Sequence, residues 1–445
     1  MAAIGLVLAL AVAACGGDGD SVDVASEPAA ALKTPAESAA TSAEGAQLAA
    51  GASEVPAAAP TETPVPEPSA TPAPEPTPSP PEGFGVTSGR SQFDELAPEL
   101  AGLGSWINSE PFTLESQRGN VVLIDFWTYT CVNCIRTLPY LKEWHAKYAD
   151  KGLVILGVHT PEFEFEKVRE NVVDAMQGFG IEYPVAQDND FGTWGAFENR
   201  FWPAKYLIDK DGFVRYTHFG EGAYDVTEGQ IRDLLSEAGS DLSLIAPNTD
   251  PQPAIDTDSF GVEVSMGLTR ELYAGTGRNY STLMSQTTPP YVLHSEFYEG
   301  TDLEALYQDP GIHQNHFLFL NGLWMNTEES LIHARETEGY DDYIVLQFFA
   351  TSVNVVMAST NDEPVDVRIT MDGKPMLPER SGTDINFDDD GNSYVRVDES
   401  RMYRIVDMDV FDGHELKLSS TSPHMEVFAF TFGSYAGGEP ESSTG

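Results

Sequence analysis

The sequence predicts a multidomain chain: a three-layer α/β/α domain over residues 93–246, an all-β sandwich of jelly-roll type over 257–435, and a disordered N-terminal tether before both. Three observations carry this reading. Apolar strand-like runs alternate with amphipathic helical runs from 121 to 238, the pattern of a sheet packed between helices. From Thr257 to Phe432 the pattern changes to short β-rich runs separated by turn signals. Residues 16–92 are a low-complexity stretch of Ala, Pro, Glu, Ser and Thr, too poor in bulky apolar residues to offset the entropy of ordering.

At the N-terminus an apolar run from Ile4 to Ala14 ends in Val12-Ala13-Ala14-Cys15. This predicts a lipoprotein signal peptide over 1–15, with Cys15 as the lipidated residue, although Met1-Ala2-Ala3 supplies no Lys or Arg. The run falls short of the roughly 18 apolar residues of a spanning helix. Eleven prolines between Pro56 and Pro81 should keep that half of the tether extended.

The elements of the α/β domain follow in order. Strand 121–127 is the apolar run Val121-Val-Leu-Ile-Asp-Phe-Trp127. Helix 133–149 carries Ile135, Leu138, Leu141 and Trp144 at helical spacing, with Lys142, Glu143 and Lys147 between them. Strand 153–158, helix 164–178, strand 183–187, a short helix near 192–199 and strands 204–208 and 213–218 come next, and helix 227–238 closes the unit. Lys210-Asp211-Gly212 supplies the turn between the last two strands. Residues 247–256, with Pro247, Pro251 and Pro253, form a linker. In the sandwich, strands are expected at 343–349, 352–357, 365–370, 393–397, 414–418 and 425–432. Asp372-Gly373, Asp390-Gly391 and Asp412-Gly413 mark tight turns, and 436–445 is a tail.

The chemistry sits between the first strand and the first helix, where Cys131-Val132-Asn133-Cys134 is inserted. Strand, dithiol, helix is the setting in which Cys-x-x-Cys is a redox pair. The helix start offers unpaired N–H groups and the positive end of a dipole, and both favour a thiolate at Cys131. A zinc site needs further ligands at suitable spacing, and none accompanies Cys131, so neither a metal nor another cofactor is expected beyond the Cys131–Cys134 pair. A disulfide so short restrains little chain entropy and is not a structural staple.

The chain has 24 Lys+Arg against 70 Asp+Glu, a formal net charge of -46. Such a charge argues against nucleic acid as a partner. Trp324, Tyr291, Tyr298 and Tyr307 are candidates for stacking on a glycan in the sandwich. His313 and His316 have no identifiable third ligand, and Asp388-Asp-Asp-Gly-Asn392 lacks the spacing of a calcium loop.

Asp125-Phe126-Trp127 ahead of Cys131, and Phe201-Trp202-Pro203-Ala204-Lys205-Tyr206-Leu207-Ile208-Asp209 further on, resemble the thioredoxin superfamily in its TlpA-like branch. The resemblance implies that Asp125 is the buried carboxylate serving Cys134, and that Pro203 is a cis-proline beside the dithiol. It also implies that the backbone of Trp202 pairs with the substrate. Phe126-Trp-Thr-Tyr-Thr-Cys-Val-Asn-Cys134, Gly157-Val-His-Thr-Pro-Glu-Phe163 and Arg200–Asp209 are similar to DipZ-type proteins, in which a TlpA-like domain precedes a sandwich resembling carbohydrate-binding modules. By that likeness the chain is an extracytoplasmic thiol–disulfide oxidoreductase, of the class used in cytochrome c biogenesis, acting on a protein disulfide, and the Cys15 segment adds the expectation of a lipid anchor. Its electrons would come from a separate membrane donor of the DsbD/CcdA type. Trp127, Tyr129, Val132, Asn133, Trp202, His159 and Glu162 are then expected along the substrate groove. Two alternatives stand beside this. One is a peroxiredoxin-like thiol peroxidase, since Thr128 precedes Cys131 by three, although Ile124 stands where that pattern has Pro. The other is a glycan-binding surface lipoprotein.

Overall fold

The computed structural model describes residues 95–248, 267–285 and 289–434. Cys15, the tether, most of the linker and the tail lie outside the described residues.

The first part is a six-stranded mixed sheet. Its elements are β1 (Trp106–Ile107), β2 (Val121–Trp127), α1 (Val132–Tyr148), β3 (Leu153–His159), α2 (Arg169–Phe179), β4 (Val185–Gln187), α3 (Gly192–Ala196), β5 (Ala204–Ile208), β6 (Val214–Phe219) and α4 (Tyr224–Glu237). The strand order is β1-β4-β3-β2-β5-β6. β2, β3 and β4 are parallel, while β1, β5 and β6 run antiparallel to their neighbours. Central β2 is apolar throughout because both faces are covered. Val121, Leu123 and Trp127 face the cluster that takes in α1, α2 and α4. Val122, Ile124 and Phe126 face a thinner layer formed by α3 and the stretch from Ala97 to Leu114. The period of two places Asp125 on the α1 side, beneath the dithiol.

The second part is all-β apart from short helical turns and one helix. It comprises β7 (Leu272–Tyr273), α5 (Thr276–Ser285), β8 (Leu303–Tyr307), β9 (Phe319–Asn326), β10 (Leu331–His333), β11 (Tyr343–Ser359), β12 (Val365–Met371), β13 (Lys374–Pro375), β14 (Ile385–Phe387), β15 (Ser393–Val397), β16 (Arg401–Ser419) and β17 (Met425–Gly433). All the strands join one hydrogen-bonded network. The long strands β11 and β16 form its spine, and β11 also pairs with β9 and β17. Their inward residues build a single apolar core.

Three expectations need correction here. Asp372-Gly373 does turn a hairpin, with both residues at positive φ and Met371 facing Lys374. Asp412-Gly413 does not turn; it lies within β16, where the register slips between Ala350 and Ser352 of β11. Gly413 is required for a different reason: a Cβ there would meet the Phe349 ring at 2.4 Å. Likewise, the runs 343–349 and 352–357 are one continuous strand, bent at that bulge. Two of the four proposed sugar-stacking aromatics are committed to the interior. Trp324 and Tyr307 are buried, and Tyr291 and Tyr298 pack against the same core. Trp324 donates its indole N–H to the Asn321 carbonyl at 2.8 Å. Trp324 and Tyr307 are thereby unavailable for stacking on a sugar, while Tyr291 and Tyr298 stay half-buried.

Candidate functional site

The dithiol forms at the point where β2 ends and α1 begins. Cys131 is the N-cap of α1, in extended conformation, and its sulfur accepts the backbone N–H of Cys134 at 3.3 Å. The Cys131 carbonyl accepts the first helical bond, from Ile135 N–H at 3.0 Å. Sulfur thus takes the place of the side-chain oxygen usual at this position, and meets one of the orphan N–H groups of the helix. Cys131 is partly exposed and Cys134 is buried, both as free thiols. Burial holds the Cys134 thiol well above its ordinary value, and the adjacent Cys131 adds to the rise. The two sulfurs are therefore unequal: one is reachable and sits on a helix start, the other must shed a proton inside the protein.

Asp125 lies in that interior. Burial pushes its carboxyl up to about 6, against the opposing pull of Lys205. Lys205 was not singled out from the sequence. β2 and β5 are antiparallel with Asp125 opposite Lys205, so the two side chains emerge on the same face. Lys205 Nζ stands 3.7 Å from Asp125 Oδ1, an ion pair too long for a hydrogen bond, with both residues buried. Burial lowers the ammonium's pKa, and Asp125 counters that shift. The signal in the sequence was a single cation inside the apolar strand Ala204-Lys-Tyr-Leu-Ile208.

A second buried carboxylate also escaped the sequence reading. Glu166 Oε1 accepts the Thr130 hydroxyl, and Oε2 accepts the backbone N–H groups of Glu162 and Phe163. It ties the loop before Cys131 to the loop after β3. Burial pushes it up to about 7.

The Trp202–Pro203 peptide bond is cis. Since Ala204 pairs with Phe126, Pro203 reaches the end of the sheet where the loop to Cys131 departs. Trp202 is half-buried and donates its indole N–H to the Thr160 carbonyl at 3.0 Å. Asn133 is half-buried beside Arg136, whose Nη1 it accepts at 3.2 Å.

The other expected groove residues lie elsewhere. Trp127 is wholly buried in the α1-side core. His159 is wholly buried as well, 3.3 Å from the Thr128 hydroxyl and stacked beneath Tyr129, and burial lowers it to about 3. A ring held neutral below the surface lines no groove. Val132 is 2% exposed, and with Ile135 and Phe163 it packs on Val356, Ala358, Met402, Phe428 and Ala429 of the sandwich. Tyr129 is also buried, and its hydroxyl donates to the Ser400 carbonyl at 3.3 Å. Glu162 belongs to the same junction: it pairs with Arg278 at 2.7 Å and accepts the Tyr273 hydroxyl at 3.0 Å. Beyond Ile135 the two parts separate around a cleft of about 650 Å³, with Phe179 on one wall and Arg404 on the other.

Among the described residues, no three His, Cys, Asp or Glu side chains converge to hold a metal. His313 bridges Asp309 and Glu415, each at 2.8 Å, while His316 Nδ1 accepts the Arg270 N–H. No described helix is long and apolar enough to cross a membrane.

Comparison with known proteins matches residues 95–217 to the AhpC/TSA family and residues 269–433 to a family described as the thioredoxin like C-terminal domain. Protein DipZ of Mycobacterium tuberculosis is 34% identical over 341 residues, 76% of this chain and 43% of that protein. The chain thus spans less than half the length of that relative. Thiol-disulfide oxidoreductase YkuV of Bacillus subtilis is 30% identical over 140 residues, 32% of this chain and 94% of its own length. A solved thioredoxin-like protein in its oxidized form is 30% identical and aligns with 33% of this chain and 99% of its own, at a TM-score of 0.31.

Proposed function

The chain belongs to the thioredoxin superfamily, as a TlpA/DipZ-type member with a C-terminal thioredoxin-like domain, and on that premise we propose that it is a thiol–disulfide oxidoreductase that reduces protein disulfides outside the cytoplasm. The observation that carries this is the inequality of the two sulfurs above a buried Asp125–Lys205 pair.

The Cys131 thiolate attacks one sulfur of the partner disulfide. A bond forms between Cys131 Sγ and that sulfur, and the other partner sulfur leaves as a thiolate. Cys134 then gives its proton to the Asp125 carboxylate and attacks Cys131 Sγ. The Cys131–Cys134 disulfide forms and the partner's second thiol is released, so the partner gains two electrons. Regeneration requires an outside dithiol, which we assign to a membrane carrier of the DsbD/CcdA type. Cys15 would hold the chain at the outer face of the plasma membrane by its lipid.

Reduction of a protein disulfide such as that of insulin tests this reading, with electrons supplied by dithiothreitol. Activity should vanish in Cys131→Ser. A Cys131–Cys134 potential near thioredoxin's, about −270 mV, supports the reducing direction; one near DsbA's, about −120 mV, reverses it.

The AhpC/TSA match favours a second reading, thiol peroxidation, with Thr128 behind Cys131. It predicts fast peroxide consumption that survives Cys134→Ser.

A further inference from the structure

The two flanks of the dithiol are treated differently. On one flank, Val132, which stands between the cysteines, is 2% exposed beneath the sandwich. Ile135, one turn along α1, and Phe163 are buried in the same contact. Phe428 of β17 packs against the stacked pair Phe163 and Phe165, at centroid distances of 5.1 and 4.9 Å. The Tyr129–Ser400 hydrogen bond and the Glu162–Arg278 ion pair secure the edges. In an isolated α/β domain these apolar side chains would surround Cys131 as open surface.

On the other flank Trp202 packs on the same cluster as Cys131, and beyond it two aromatic side chains stay largely uncovered among the described residues. Phe201 and Phe219 are 43% and 46% exposed, with ring centroids 5.3 Å apart. Trp202 joins them at the cis bond and packs on Trp194 at 4.3 Å. Phe219 ends β6, which is an edge strand of the sheet. The start of that edge is taken, since Val214 donates its N–H to the Glu95 carbonyl at 2.9 Å, but exposed aromatics at its far end offer stacking surface together with main-chain pairing to an extended peptide.

We propose that the C-terminal sandwich is a fixed fence over the Val132 flank of the dithiol, so that a partner reaches Cys131 only across the flank formed by Phe201, Trp202 and Phe219. The occupant is an extended, apolar segment of another polypeptide that carries the disulfide. This gives the sandwich a role in selectivity without any ligand of its own. It rests on the oxidoreductase reading, and its failure is separable from failure of that reading.

The test uses the full chain with Cys134→Ser, charged with a synthetic peptide whose disulfide is flanked by Leu and Phe. Hydrogen exchange is then compared between the free chain and the mixed disulfide. The expected footprint is slowed exchange across 191–203 and 214–221, with 398–404 and 425–430 unchanged. An adduct whose footprint falls on 398–404 and the cleft beside it overturns the fence while leaving the oxidoreductase intact. Failure to form any adduct overturns both. A kinetic measurement on the intact dithiol adds an independent reading. Phe201→Ser/Phe219→Ser should lower kcat/KM for the apolar peptide, relative to glutathione disulfide, about tenfold, mainly through KM. An unchanged ratio contradicts the proposal.

Discussion

Replacing Lys205 with Met tests the buried pair beneath the dithiol. Met keeps the apolar stem and removes the charge. The ammonium and the Asp125 carboxylate lie 3.7 Å apart, both buried. At an effective dielectric of about 20, unit charges at that distance attract by about 4.5 kcal/mol. This corresponds to about three pH units of proton affinity at Asp125. With Lys205 present, Asp125 sits at about 6 and is largely ionised above neutrality, ready to take the Cys134 proton. Without the ammonium it stays protonated through neutral pH, and the resolving step slows. Relaxation and water entry reduce the full Coulomb figure, so the limb of the pH profile should move upward by at least about one pH unit. The assay loads Cys131 with 2-nitro-5-thiobenzoate as a mixed disulfide. Stopped-flow absorbance then follows its release by Cys134 from pH 5 to 9. A limb that stays at the wild-type pH in Lys205→Met would refute the coupling between Lys205, Asp125 and Cys134.

The remaining predictions concern stability. Glu166 titrates at about 7 in the fold against 4.5 for an ordinary Glu. Its folded pKa is raised, so stability is fullest below 4.5 and falls as the pH climbs through 7, by roughly 3 kcal/mol in all. Glu166→Gln removes that titration, and urea midpoints between pH 5 and 8 should fall less steeply, the remaining slope coming from groups such as Asp125, pushed up to about 6; an unchanged slope would contradict the assignment. Phe428→Ala opens a cavity beside the stacked Phe163 and Phe165 rings and should cost about 3 kcal/mol or more, read by urea unfolding at pH 7. Gly413→Ala sets a methyl against the Phe349 ring and should cost about 1–3 kcal/mol in the same assay.

The α/β half was legible because its signals are local. β2, the dithiol and α1 are contiguous, and the resemblance of Asp125-Phe126-Trp127 to the thioredoxin segment set Asp125 beside Cys134. Lys205 was hidden because its meaning depends on the antiparallel register that sets it opposite Asp125, eighty positions earlier. Glu166 is one of three acids in Glu162-Phe-Glu-Phe-Glu166, and only the closed loop chooses which is buried. Asp412-Gly413 misled because Asp-Gly suits a hairpin, while the actual constraint was the approach of Phe349. Val132 and Tyr129 were expected on an open groove. Their burial depends on docking a second domain, which no pattern within residues 121–134 encodes.

The most direct test of the central claim compares Cys134→Ser with Cys131→Ser, each reduced and mixed with a disulfide-bonded protein such as insulin. Adducts are then resolved without reductant. With Cys131 attacking and Cys134 resolving, Cys134→Ser accumulates a mixed disulfide that dithiothreitol dissolves, and Cys131→Ser accumulates none. Equal trapping by the two variants, or trapping by Cys131→Ser alone, would contradict the roles given to the two sulfurs.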